Sequence, residues 1–297
     1  MQCELDIYSD EEGQRFCYTV SGSSNRFLIF IPGLTDGLYA VKYLPELQRN
    51  LDKIGWSLVQ FIFASSYNGY GTSSIENDIK HLTLLIDHLI QKYNANSFIL
   101  HGFSTGCQDS VYFLKTVDQK YKSMIKGVIL HAPVSDREYE MTLDEYKDNI
   151  NMAHSLIKQS NNKPVLIPFH RFEYSIAMTA QRYLSLNSKM SKEDMFSSDL
   201  TNDELYHQIG HLRNVPLLIV MCGKDEYVPK HVHKKKLLQR LCRAISEDSD
   251  CGNCIQSCIV NEADHYMSNE QCSQQMIEAC QRFVRNINQN LAQISKL

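Results

Sequence analysis

Gly102-Phe103-Ser104-Thr105-Gly106 is a G-x-S-x-G pentapeptide that follows directly on the apolar run Phe98-Ile99-Leu100. A serine becomes a nucleophile when a sharp strand-to-helix turn lifts its hydroxyl clear of the backbone, at the cost of strain at the serine itself. Glycines two residues to either side leave room for strand and helix to approach. The bare pentapeptide is only moderately specific; its place between a β-rich run and a helical one is what the mechanism requires. An activated serine also needs a base to take its proton and an acid to orient that base.

In a fold of this kind the partners follow the nucleophile in the order acid, then histidine. The apolar run at 217–222 leads into Gly223-Lys224-Asp225-Glu226-Tyr227, which puts Asp225 on a loop just past the end of a strand. Glu226 is its rival, but neighbouring side chains on an extended loop point apart, and Asp225 suits the turn better. An ordinary turn also reads G-x-D. His265 is the only histidine after the last expected strand, 255–260, although the chain has 11. Asp264 beside it is expected to shape the loop. Acyl transfer also needs donors aimed at a developing oxyanion. The backbone amides of Thr105, at the start of the elbow helix, and of Leu34, in Pro32-Gly33-Leu34-Thr35-Asp36-Gly37, are the expected pair. By residue type alone that second segment is equally a Pro-Gly turn.

Several features are set aside. His231 and His233 beside Lys234-Lys235-Lys236 read as a solvated basic helix face. Cys107 falls inside the elbow helix and reads as a packed thiol rather than a nucleophile. Cys251, Cys254 and Cys258 have C-x2-C-x3-C spacing reminiscent of metal ligands. A matching second pair is missing, so no metal is expected there.

The elements that must position these residues alternate. Strands are expected at 27–31, 56–64, 97–101, 126–131, 215–222 and 255–260, from apolar or β-branched runs. Helices are expected at 38–54, 74–93, 105–117, 230–244 and 269–294. In the second of these, Ile75, Ile79, Leu82, Leu85, Ile86, Leu89 and Ile90 trace one face, and Ser73 and Glu76 have capping-box spacing. This rhythm predicts a mostly parallel sheet with helices on both faces, preceded by an antiparallel hairpin that includes 16–20. The interval 134–212 breaks it. Helical stretches are expected there at 142–159 and 175–186, with a proline-bounded run at 164–168. The natural reading is one domain over 1–297 that carries 134–212 as a helical cap over the ligand-binding edge of the sheet.

The chain has 297 residues, ample for a sizeable core, with a net charge of −4 that gives no reason to expect nucleic acid or an anionic membrane. No apolar stretch is long enough to span a bilayer, and the first residues carry no secretory pattern. Ten cysteines without such a signal read as reduced thiols in a cytoplasmic protein.

With elbow, acid and histidine in this order, the chain resembles the α/β-hydrolase superfamily over most of its length. A closer resemblance is carried by four blocks between residues 33 and 138: Gly33-Leu34-Thr35-Asp36-Gly37-Leu38, Ser65-Ser66-Tyr67-Asn68-Gly69-Tyr70-Gly71-Thr72-Ser73-Ser74, Ser104-Thr105-Gly106-Cys107-Gln108-Asp109, and Ala132-Pro133-Val134-Ser135-Asp136-Arg137-Glu138. They resemble a eukaryotic α/β-hydrolase family that includes fungal esterases opening fusarinine-type siderophores. The resemblance implies an α/β-hydrolase fold and serine ester hydrolysis of a small molecule without metal or organic cofactor, and leaves the ester open. The loop 68–74 is expected to help shape the pocket, with Asn68 and Tyr70 as substrate-binding residues. Residues 246–257 look like a divergent insertion. A binding or scaffold protein that keeps the fold without turnover is the alternative, as is acyl transfer or thioester cleavage with the same residues.

Overall fold

The computed structural model describes residues 3–10, 12–161, 163–171, 174–246 and 255–294. The chain begins with β1 (Glu4–Ser9), β2 (Arg15–Ser21) and β3 (Arg26–Ile31), then α1 (Leu44–Asp52), β4 (Ser57–Phe61) and α2 (Ile75–Tyr93). Next come β5 (Ser97–Phe103), α3 (Gly106–Thr116), α4 (Gln119–Met124) and β6 (Ile125–His131). The segment to the next sheet strand holds α5 (Asp136–Glu140), α6 (Tyr146–Gln159), β7 (Leu166–Arg171), β8 (Tyr174–Thr179), α7 (Ala180–Asn187) and α8 (Asn202–Ile209). The chain closes with β9 (Leu217–Cys222), α9 (Lys234–Ser246), β10 (Ile255–Val260) and α10 (Glu270–Ile294).

Eight strands form one sheet in the order β1-β2-β4-β3-β5-β6-β9-β10. Pairing is parallel from β4 through β10 across the sheet, and β2 alone runs against its neighbours. This is the α/β-hydrolase fold, with the expected hairpin at its start. Strand alternation explains the layering. Phe27, Ile29 and Ile31 of β3 join the core beneath α2, α3 and α9, whereas Leu28 and Phe30 join the core beneath α1 and α10. Each fully buried Leu or Ile there contributes roughly 1.5–3 kcal/mol.

Local expectations fail in three places, each for a stated reason. Helix α1 begins at Leu44 rather than near residue 38, because Tyr39 takes a φ of 62° and Pro45 marks the first turn. Helix α2 is capped by Ser74, whose hydroxyl accepts the Asn77 N–H, and not by Ser73. The run 175–186 is not one helix. Its first half is β8, paired antiparallel with β7 through the expected proline-bounded stretch, and Thr179 then caps α7 by accepting the Arg182 N–H. Pro168 is tolerated because both strands of a two-stranded hairpin are edges. The segment between β6 and β9 therefore carries a hairpin as well as helices.

Two buried arginines hold that segment. Arg137 Nε donates to Asp194 Oδ2 at 3.0 Å and its Nη1 to Asp199 Oδ2 at 3.1 Å, which closes the segment's beginning onto its end. Arg182 pairs with Glu193 and donates from Nε to the carbonyl of Tyr70 at 2.9 Å. Asp78 of α2 and Asp109 of α3 lie within its field, and Ser65 Oγ donates to Asp78 Oδ1 at 2.6 Å. Burial pushes Asp78 up to about 7, against the pull of Arg182. It also pushes Asp109 well above the usual carboxylate range. Three carboxyl groups thus share one guanidinium where the segment meets the sheet helices.

Candidate active site

Strand β5 ends at Phe103, α3 begins at Gly106, and Ser104 between them has a φ of 54°. A non-glycine residue in this region carries roughly 1–2 kcal/mol of strain. The surroundings enforce it. A Cβ on Gly102 would lie 2.2 Å from Gly106 O, and one on Gly106 would lie 2.2 Å from Ile31 O, so strand, turn and helix meet at backbone contact. The Ser104 N–H donates to His131 O at 3.0 Å, and Ser104 O accepts the Cys107 N–H at 2.9 Å. Both glycines and the positive φ are what a sharp strand-to-helix turn of this kind requires.

Asp225 and His265 meet from different strand ends. Asp225 follows β9, His265 follows β10, and Asp225 Oδ2 lies 2.8 Å from His265 Nδ1 with both side chains buried. Asp225 Oδ1 accepts the Tyr227 N–H at 3.0 Å, which fixes the carboxylate plane. Glu226, the rival in sequence, accepts the backbone N–H of His265 through Oε2 at 3.0 Å. Adjacent acids therefore hold one histidine, one by its ring and one by its main chain. The ring is enclosed by Phe103 (centroids 5.0 Å apart), Tyr227 (4.7 Å) and Tyr266 (5.4 Å). Asp264 shapes the loop by accepting the Ser268 N–H at 2.7 Å.

Ser104 and His265 line one narrow cleft together with Leu34, Thr35, Asp36, Val134, Ser135, Asp136, Tyr139, Tyr227 and Tyr266. Its cavity volume is about 40 Å³. That is room for a few water molecules. A far wider concavity of about 1000 Å³ lies between α1 and α10, lined by Lys42, Glu46, Arg49 and Glu270 among others. It is open, and none of the candidate site residues lines it. Thr105 is buried as the N-cap residue of α3, and Leu34 sits on the cleft wall. Gly33 makes this loop's close approach possible, since a Cβ there would lie 3.0 Å from Ser104 Cβ.

Asn68 and Tyr70 do not line the cleft. Asn68 is exposed, and Tyr70 is fully buried against Phe169, Met178 and Tyr183 of the segment between β6 and β9. The physical reason is the short 3-10 turn Tyr67–Gly71, which packs under β8: a Cβ on Gly71 would lie 2.1 Å from Ala177 O. The loop anchors that segment and leaves the pocket to others.

Other residues support the site without a signal in the sequence. Of the basic run, Lys234 turns inward and donates to Gly223 O at 2.8 Å and Asp225 O at 3.2 Å, bracing the acid's loop. His231 and His233 are exposed, as expected of a solvated face. Under the elbow, the Tyr43 hydroxyl lies 2.9 Å from His131 Nδ1 and 3.3 Å from His101 Nε2. Burial holds His101 down to about 3, so its ring is neutral. Cys107 is a buried thiol that donates to Gly102 O and His131 O, and burial raises its pKa well above the usual value. Among the described residues no three His, Cys, Asp or Glu side chains converge to hold a metal, and every cysteine is free. Cys251 and Cys254, with most of the expected 246–257 insertion, lie outside the described residues. No described helix is long and apolar enough to cross a membrane.

The fold is that of an α/β-hydrolase, and one cleft brings the strained turn at Ser104 together with His265 of a buried Asp–His pair. Residues 4–288 match the model of the family described as "Protein of unknown function (DUF1749)", and the chain belongs to that family. An esterase of Emericella nidulans is 29% identical over 285 residues, covering 76% of each chain. The fusarinine C esterase sidJ of Aspergillus fumigatus is 27% identical over 295 residues, covering 82% of this chain and 83% of the relative. Among solved structures, the siderophore hydrolase EstB of Aspergillus fumigatus superposes with a TM-score of 0.75 at 23% identity, over 97% of this chain and 98% of that one.

Proposed function

We propose that this protein hydrolyses carboxylic esters of small molecules through an acyl-enzyme on Ser104, with His265 as base and Asp225 as its orienting acid. The observation that carries the reading is the 2.8 Å contact of Asp225 Oδ2 with Nδ1 of His265, whose ring lines the same cleft as Ser104 at its positive φ. The names of the relatives support ester hydrolysis as the reaction class.

In this mechanism Nδ1–H donates to Asp225, which leaves Nε2 free to accept a proton. Ser104 Oγ attacks the ester carbonyl carbon as its proton passes to Nε2, and the carbonyl π electrons move onto oxygen. The Leu34 and Thr105 amides receive that oxyanion. Collapse of the tetrahedral intermediate breaks the bond to the alcohol oxygen, which takes the proton from Nε2. Water then repeats the sequence on the acyl-enzyme: its proton goes to Nε2, and Ser104 leaves with that proton as the acid is released. Asp225 stays ionised throughout and stabilises the imidazolium. A cavity of about 40 Å³ holds little more than water, so the cleft must widen when a substrate enters.

The experiment is labelling with a fluorophosphonate probe, comparing the unmodified protein with Ser104→Ala, His265→Ala and Asp225→Asn. Labelling that disappears in Ser104→Ala, with ester turnover lower by about 10⁴-fold or more in the same variant, is the expected result. Turnover that survives in a folded Ser104→Ala protein sinks the proposal.

A further inference from the structure

One ionisable group on the cleft wall takes no part in the serine chemistry described above. Asp36 closes the turn that starts at Gly33, its N–H donating to Gly33 O at 3.1 Å. Its carboxyl group and the nucleophile flank the same bare Cα. The point where a Cβ on Gly33 would lie is 2.8 Å from Asp36 Oδ2 and 3.5 Å from Ser104 Oγ. A larger residue at position 33 would push one of them away. Asp36 therefore stands next to the atom that attacks, on the wall shared with His265 and Tyr266.

This placement has an electrostatic consequence. Burial pushes the Asp36 carboxyl up to about 6, while His265 and the Gly33 amide pull it down, so it is ionised at neutral pH. A carboxylate next to a site where negative charge develops opposes the reaction unless a positive charge offsets it. The residues lining the cleft include neither Lys nor Arg, and His265 is already bonded to Asp225. The rest of the wall adds Asp136 and the rings of Tyr139, Tyr227 and Tyr266. A carboxylate and aromatic faces receive an organic cation well and an anion badly. The missing positive charge is one that a substrate can bring.

We propose that Asp36 is a specificity residue that selects esters carrying a cationic group, such as a protonated or quaternary amine, close to the scissile carbonyl, and turns away esters with an anionic group there. This rests on the serine-hydrolase reading and names the substrate class of that same site.

The test uses matched aryl esters whose acyl chains end in trimethylammonium, tert-butyl or sulfonate, and a second set with these groups on the alcohol. The first two are nearly isosteric, so their comparison isolates charge. For the unmodified protein kcat/KM follows the order cation, neutral, anion in at least one set. In Asp36→Asn the cation-to-neutral ratio falls by about tenfold or more, as the loss of one close charge requires. The groups facing Asp36 are His265, Tyr266 and Ser104, with Asp136, Tyr139 and Tyr227 elsewhere on the wall. Effects of His265 on the rate cancel in the ratio. Because protonation removes the Asp36 charge as pH falls through about 6, the unmodified protein's own preference shrinks from pH 8 to pH 5, a readout that needs no variant.

Equal slowing of all three esters in Asp36→Asn overturns the proposal and makes Asp36 a positioning residue for the loop. So does an unmodified protein that labels with fluorophosphonate yet treats the three esters alike. An unmodified protein that neither labels nor hydrolyses any ester overturns the serine-hydrolase reading, and the selectivity proposal falls with it.

Discussion

The elbow and the segment between β6 and β9 both contribute to one cleft, yet they are held in place by opposite means. Ser104 is fixed by main chain: a positive φ, glycines at 102 and 106 in backbone contact with their neighbours, and an N–H bound to His131 O. The segment that supplies Val134, Ser135, Asp136 and Tyr139 is fixed by buried side-chain charge, through Arg137 with Asp194 and Arg182 with Glu193, and Arg137 also reaches the exposed Asp199. Main-chain contacts leave little freedom for Ser104 and do not titrate. Buried ion pairs depend on every partner being present and on pH. The comparison teaches that the chemistry and the walls around it respond to different perturbations.

The largest effect on stability is expected from the charged side. Arg182→Met leaves Glu193 buried without its cation, with Asp78 and Asp109 nearby, and should cost about 3–5 kcal/mol in chemical denaturation. Adding Glu193→Gln should restore part of it. If the single variant costs nothing, the arginine is not what holds the segment.

A smaller effect concerns pH, and its sign is unusual. In the folded chain burial pushes Asp78 up to about 7. Unfolded, it returns to about 3.9, so between these values the folded state binds more protons. The contribution of this group is therefore fully present below pH 4 and is lost as pH rises toward 7, by at most about 1.4 kcal/mol per pH unit. Denaturation midpoints from pH 4 to 8 should show this slope, and Asp78→Asn should reduce it, leaving the share that Asp36 and Asp109 contribute in the same direction. Asp6, held down to about 2 by Lys92, acts in the opposite direction below pH 4. An unchanged slope in Asp78→Asn would move the titration to another group.

The smallest effect is on the backbone side. Ser104→Gly and Ser104→Ala both remove the hydroxyl proposed as nucleophile, but only glycine adopts a φ of 54° without penalty. The glycine variant should be the more stable of the two by about 1 kcal/mol. Equal melting temperatures would mean that the elbow stores no strain.

Much of this was legible in the residues. The order of strands and helices, the elbow, and the positions of Asp225 and His265 follow from apolar runs, glycine placement and the order of nucleophile, acid and histidine along the chain. Places where the reading missed share a cause. Residues 175–186 have apolar positions that satisfy a helix as well as a strand, and only a partner strand, β7, resolves the ambiguity. Tyr70 was expected in the pocket because loop 68–74 was expected to shape it, but the 3-10 turn Tyr67–Gly71 packs it beneath β8. Lys234 is one of three adjacent lysines, and nothing in the sequence distinguishes the one that braces the Asp225 loop.

The sequence by itself determined the sheet, its helices and the main-chain device at Ser104, because periodicity, β-branched runs and glycine spacing act over a few residues. Tertiary structure alone decided which side chains share the cleft. Asp36 and Ser104 are 68 positions apart and Asp225 and His265 are 40 apart. Their charges and hydrogen bonds act only once the strands have aligned in register. Local pattern fixes direction along a strand, and closeness across the sheet is set by packing.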